Sequence, residues 1–279
     1  MTRILFLGDT HAAWHRLVDG VALAVASERI DLAIQVGDFG FFKAYAPAPL
    51  GTRSVFHLAV PTYVIDGNHE DHEWLAAQRQ SGTVARWAQE QNLHVMPRGS
   101  ILHVDDLTIG FCGGALHADR RQEGSIDRGT TNWVTFKEAE AAAAAFSQAK
   151  VDVIVTHSCP HSIGVGMVGS PYLVEDVERH CVRKGFNPGP ISDCGEPGLL
   201  RLWGHLTHRP REWIFGHFHA HREAMVRGVR FHCIGAIDGS DQRPYPVGYV
   251  LDTDGLLFSP LAIGGTTYRR QDEHQSPPC

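Results

Sequence analysis

The sequence predicts an α/β fold in a single domain. Three observations carry that reading. Short apolar strands alternate with amphipathic helices along most of the chain, one strand is as apolar as those of a sheet covered on both faces, and 279 residues are enough to bury one large core. Hydrophobic residues make up 43% and charged residues 20%, which excludes fibrous and disordered classes. The formal net charge of −6 argues against general nucleic-acid binding, which needs a basic face.

Taken in order, Arg3 to Leu7 reads as an apolar strand, followed by a helix with Trp14, Leu17, Val18, Val21, Ala22 and Val25 on one face. Leu32 to Val36 and Pro61 to Ile65 repeat the strand pattern, and helical sequence follows around Trp74 to Glu90. Short strands are expected near Leu93 to Met96, Ile101 to Val104 and Leu107 to Cys112. Thr135 and Glu138 have the spacing of a capping box, and the alanine-rich run after them to Lys150 favours helix by propensity. Val151 to Val155, broken only by Asp152, is the strand as apolar as a fully buried one.

Residues Ser158 to Asp193, rich in Gly, Pro and Ser, read as a long loop with one helix near Leu173 to Val182. A helix near Leu199 to Leu206 and a strand at Glu212 to Phe215 follow. Further β-rich segments come at Glu223 to Val226, Phe231 to Ile234, Gly248 to Leu251 and Leu256 to Leu261. The domain is expected to span 1–265, with 266–279 as a flexible tail. The early apolar run Ile4 to Leu7 meets Asp9 before a signal-peptide core forms, and no stretch approaches a membrane span. A cytoplasmic protein with six reduced cysteines and no membrane partner is the expectation.

The chemistry sits where strands end. Five strands run into clusters of Asp, His and Asn: Asp9 and His11; Asp38; Asn68 and His69; His157; His217 and His219. Strand C-termini of an open α/β sheet share one edge, where such folds bind ligands. A turn explains an Asp or Asn, but not five of the eighteen histidines gathered at these ends. Imidazole, carboxylate and amide oxygen without thiolate suit Mn, Fe, Zn or similar divalent ions. Seven such ligands exceed what one ion takes, and two ions sharing a carboxylate are a known device for in-line displacement at phosphorus.

In these blocks the sequence resembles the calcineurin-like metallophosphoesterases. Gly8-Asp9-Thr10-His11, Gly37-Asp38, Gly67-Asn68-His69-Glu70, Thr156-His157 and Gly216-His217-Phe218-His219 stand in the family's order, and Gly113-Gly114-Ala115 is similar to a stretch in bacterial and phage members. The resemblance implies a four-layered αββα sandwich. It assigns one ion to Asp9, His11, Asp38 and His219 and the other to Asp38, Asn68, His157 and His217, with Asp38 bridging. It makes His69 the general acid for a bridging hydroxide attacking phosphorus. Manganese is the first choice of metal, with iron, zinc, nickel or magnesium as alternatives. The implied partner is a phosphorylated small molecule or nucleotide. A non-catalytic metal-binding or protein-interaction module on the same fold is the alternative.

The aspartate and arginine that protein Ser/Thr phosphatases carry shortly after the second block, and their arginine just before the third, are missing, since the chain reads Gly37-Asp38-Phe39-Gly40-Phe41-Phe42 and Asp66 precedes Gly67. The partner that orients His69 is therefore open, with Asp66 and Glu70 as candidates. Arg120, Arg121 and Arg128 follow the Gly113-Gly114 turn as possible phosphate contacts, Arg120 and Arg128 being the substrate-binding candidates. The string Gly164 to Gly169 matches a dinucleotide fingerprint but starts well past its strand and precedes Pro171, which removes that meaning.

Overall fold

The computed structural model describes residues 1–43, 57–117, 122–166, 194–238, 247–254 and 257–262, with positions 175, 178, 179 and 183. Two six-stranded mixed sheets form its centre. The first is built on β1 (Arg3–Leu7), β2 (Leu32–Gln35), β3 (Thr62–Val64) and β4 (Leu93–Val95), parallel in that order. Beyond β1 it continues antiparallel through β11 (Val247–Asp252) to β12 (Leu257–Ala262). In the second, β6 (Leu107–Cys112), β7 (Val153–Thr156), β8 (Glu212–Phe215) and β10 (Val229–Cys233) are parallel neighbours. Its edges are the antiparallel strands β5 (Ser100–Val104) and β9 (Arg222–Val226).

Side-chain alternation assigns the layers. On β1, Ile4 and Phe6 turn inward between the sheets, where they meet Ile109, Phe111, Val153, Val155 and Ile214 of the second sheet. Leu5 and Leu7 turn outward against Leu17 and Val21 of α1 (Trp14–Ser27) and the helices α2 (His72–Gln80) and α3 (Thr83–Glu90). On the far side Ile154, Trp213 and Phe231 pack under Ala142 and Phe146 of α4 (Phe136–Ala149) and Leu199 and Leu202 of α5 (Pro197–His205). Three cores between four layers give an αββα sandwich, and β7 is buried at every position because both of its faces are covered.

The capping box forms as its spacing predicts: Thr135 Oγ1 accepts from Glu138 N at 3.2 Å and Glu138 Oε2 from Thr135 N at 2.9 Å. The helical stretch 74–90 is divided. It is two helices, because Gly82 takes φ +72° between α2 and α3 and turns the chain. Among the described residues no helix is long and apolar enough to cross a membrane. The expected helix at 173–182 and the tail at 266–279 lie outside the described residues, apart from isolated positions in the former.

Candidate metal centre

Five strand ends meet as expected, but not at the edge of one open sheet. β1, β2 and β3 belong to the first sheet and β7 and β8 to the second, so the cluster straddles the top of the interface between them. Sequence periodicity reports which residues face inward, not which sheet a strand joins.

Asp38 is the junction. Its carbonyl accepts from Thr10 N at 3.0 Å and His11 N at 2.8 Å, which pins the loop after β1 to the loop after β2. Its Oδ1 accepts from His69 N at 2.9 Å, which draws in the loop after β3. The backbone at Asp38 has φ +52°, and His11, His217 and His219 also have positive φ. Four non-glycine residues in the left-handed region at one site mark stored backbone strain held by the surrounding structure. Two glycines admit the close approaches. A Cβ on Gly67 would lie 2.0 Å from Asp38 Oδ1, and one on Gly216 would lie 2.3 Å from Asp9 Oδ1.

Two clusters of potential ligand atoms result: Asp9, His11 and His219, and Asp38, His157 and His217. In the first, His219 Nε2 lies 3.1 Å from Asp9 Oδ2, and His11 Nε2 faces His219 Nε2 at 2.9 Å. In the second, His157 Nδ1 donates to Val36 O at 2.9 Å, which fixes the ring so that Nε2 faces Asp38 Oδ1 at 3.3 Å and Asn68 Oδ1 at 3.1 Å. His11 Nε2 is 3.8 Å from Asp38 Oδ2, so Asp38 lies between both groups. All seven residues named from the sequence as metal ligands are therefore brought together.

The electrostatics fit a cation site. Asp9 and Asp38 are fully buried, and burial raises a carboxyl, yet His157 above all holds both below their ordinary value. The effect is mutual: burial lowers the His157 pKa, and Asp38 and Asp9 outweigh it and push it up to about 10. Two buried carboxylates demand positive charge beside them, and a divalent ion among N and O ligands meets that demand. His217 goes the other way, with burial holding it well below its ordinary value as the neutral imidazole a metal requires.

His69 does not join either cluster. Its ring lies edge-on 5.2 Å from His11 and 5.0 Å from His117. Burial, reinforced by these imidazoles, pushes its pKa down to about 4. Neither carboxylate considered as its orienting partner bonds to it. Asp66 Oδ2 accepts from Arg98 Nη2 at 2.7 Å and Nε at 3.0 Å. Glu70 accepts from four backbone amides, Phe39 N at 2.9 Å, Gly40 N at 3.1 Å, Phe41 N at 2.6 Å and Gly67 N at 3.4 Å, and so shapes the loop after Asp38. Burial and Asp38 push its carboxyl up to about 7 against those donors. Arg128 is exposed and paired with Glu73 of α2, and Arg120 and Arg121 lie outside the described residues.

Two residues at the site escaped the sequence reading. Asp238 Oδ2 is 3.9 Å from His11 Nε2; it follows β10, and the rule of acidic residues after strands applies to it as well. His117 Nδ1 accepts from Asn68 Nδ2 at 3.0 Å, at the end of the segment that begins Gly113-Gly114.

The family model for calcineurin-like phosphoesterases matches residues 2–221. The chain belongs to that family. Its enzyme class is accordingly that of a phosphoester hydrolase, and the αββα sandwich is the family's fold. Among solved structures, the protein TT1561 of Thermus thermophilus is similar with a TM-score of 0.55 at 13% identity, over 94% of this chain and 99% of that one. A provisionally assigned 5′-nucleotidase from Staphylococcus aureus is similar with a TM-score of 0.50 at 13% identity, over 98% of this chain and 56% of that one. At such identities the likeness is one of fold. Comparison with curated protein sequences found no match.

Proposed function

We propose that this phosphoesterase hydrolyses phosphate esters at a pair of divalent cations. Asp9, His11, Asp38 and His219 would hold one, and Asp38, Asn68, His157 and His217 the other. The observation that carries the reading is the position of Asp38, whose carboxylate stands between the two ligand clusters and whose backbone ties their loops together. Two divalent cations, manganese by first choice, supply Lewis-acid activation of water and charge neutralisation at phosphorus.

The protein's own residues do the rest. Burial of Asp9, Asp38 and His157 removes water that would screen the phosphoryl charge. His69 lies beside the clusters, outside both ligand sets, where a general acid for the leaving oxygen is needed. Its depressed pKa leaves it neutral by itself, and the negative charge of a phosphate alongside favours the imidazolium that donates the proton. A nucleotide or another phosphorylated small molecule is the substrate class. The reading sets this reaction in the cytoplasm.

Metal analysis and turnover of an aryl phosphodiester with added manganese test the reading. Asp38→Ala is expected to lose metal loading and activity together, whereas His69→Ala keeps the metals and loses about 10²–10⁴-fold in kcat. Full activity in either variant contradicts it. A loaded wild type with no turnover of monoesters, diesters or nucleotides favours a binding module instead.

A further inference from the structure

Asn68 is unlike the other candidate ligands, because a carboxamide has two ends and only its oxygen coordinates a cation. Turned over, it presents an NH2 group, which repels one. Something must select the orientation. His157 Nε2 faces the oxygen at 3.1 Å, but a cation would compete for both of those atoms, so the selecting contact has to act on the nitrogen.

That contact comes from the segment after β6. Gly113 presses on the Asn68 loop so closely that a Cβ would lie 2.4 Å from Asp66 O, and Gly114 N donates to Asp66 O at 2.8 Å with φ +87° at Gly114. Ala115 N then donates to Asn132 O at 2.7 Å, and Leu116 N to Glu196 Oε2 at 2.8 Å. Three consecutive anchors deliver His117, nearly buried at 12% side-chain exposure, to the back of Asn68. Its Nδ1 accepts from Asn68 Nδ2 at 3.0 Å, which requires the unprotonated form at that nitrogen. Its Nε2 lies on the opposite side of the ring, 3.5 Å from Glu123 Oε2. The ring edge meets His69 at 5.0 Å.

We propose that His117 is a positioning residue, the acceptor that holds the Asn68 carboxamide with its oxygen turned to the Asp38, His157 and His217 cluster. The inference rests on the two-cation reading above. Outer-shell partners of this kind change metal affinity by about 10–100-fold.

Two substitutions separate positioning from packing. His117→Phe keeps the ring against His69 and removes the acceptor; His117→Asn removes the ring and places an oxygen close to where Nδ1 was. Manganese titration by calorimetry should show His117→Phe weakening one of two binding events by about 10–100-fold, with His117→Asn near wild type. A purely structural role predicts the reverse ranking, since Phe conserves volume. In metal-free protein, the side-chain amide signals of Asn68 in a 15N-resolved NMR spectrum should move in His117→Phe and stay in His117→Asn. Unmoved signals in His117→Phe, or unchanged manganese affinity in a wild-type-like pair of sites, overturn this proposal alone. A wild type that binds no manganese while its Asn68 signals respond as described overturns the two-cation reading, and the role of His117 with it.

Discussion

Asp66 was one of two carboxylates that the sequence offered as a partner for His69, and the structure gives it a different task that can be measured. Its carboxylate is buried against Arg98, whose Nη2 also donates to Thr131 O and whose Nη1 donates to Trp133 O, both at 2.7 Å. Asp66 and Glu138 outweigh burial and hold Arg98 well above the ordinary guanidinium value, while Arg98 and Arg79 outweigh burial and hold Asp66 well below that of a carboxylate. Arg98→Met keeps the length and apolar stem but leaves a buried charge with Arg79 at 3.6 Å as its remaining cation, and strips Thr131 O of its donor, whereas Trp133 O still accepts from Thr131 Oγ1. Breaking a buried pair costs about 3–5 kcal/mol and the orphaned carbonyl about 1 kcal/mol more, so the loss should be about 5 kcal/mol, a large part of a typical net stability. Urea unfolding followed by tryptophan fluorescence measures it. The double variant with Asp66→Asn should lose about 2 kcal/mol less than the sum of the singles, because it no longer strands a charge. A loss under about 1 kcal/mol, or strict additivity, refutes the reasoning. An Asp66→Asn protein that keeps its stability but shifts the pH profile of kcat would restore the role beside His69.

Two further perturbations follow from local geometry. Gly37 has φ +106°, and a Cβ there would lie 2.4 Å from His157 Nδ1, so Gly37→Ala should displace the imidazole and weaken manganese binding, read by calorimetry; unchanged affinity would contradict the contact. His72 is buried, and burial lowers its pKa to about 4, so the unfolded chain takes up its proton first as pH falls. Stability that is complete above about pH 6.5 should thus drop by about 2 kcal/mol at pH 5 on account of this group. Urea midpoints at pH 7 and pH 5 should show His72→Phe losing that share of the slope, and an unaltered slope would contradict it.

The candidate ligand set was legible because it is positional. Asp9, His11, Asp38, Asn68, His157, His217 and His219 each follow a strand, and strand alternation survives in sequence even where partners do not. The division of those strands between two sheets was not legible, because β2 beside β1 and β8 beside β7 leave no mark in composition. The four layers were named by family resemblance, while the described contacts of Leu5, Ile4, Val153 and Ile154 supply their physical basis. Gly82 broke the helical stretch at 74–90, an event that a helical period carries through unless a lone glycine is given weight. His117 escaped because its role depends on contacts with Asn68 and Glu123, which no spacing encodes.

Anomalous diffraction from a manganese-loaded crystal tests the central claim most directly. Two peaks about 4 Å apart, one among Asp9, His11 and His219 and the other among Asn68, His157 and His217, with Asp38 touching both, are the predicted result. A single peak, or a pair that leaves Asp38 untouched, would contradict it.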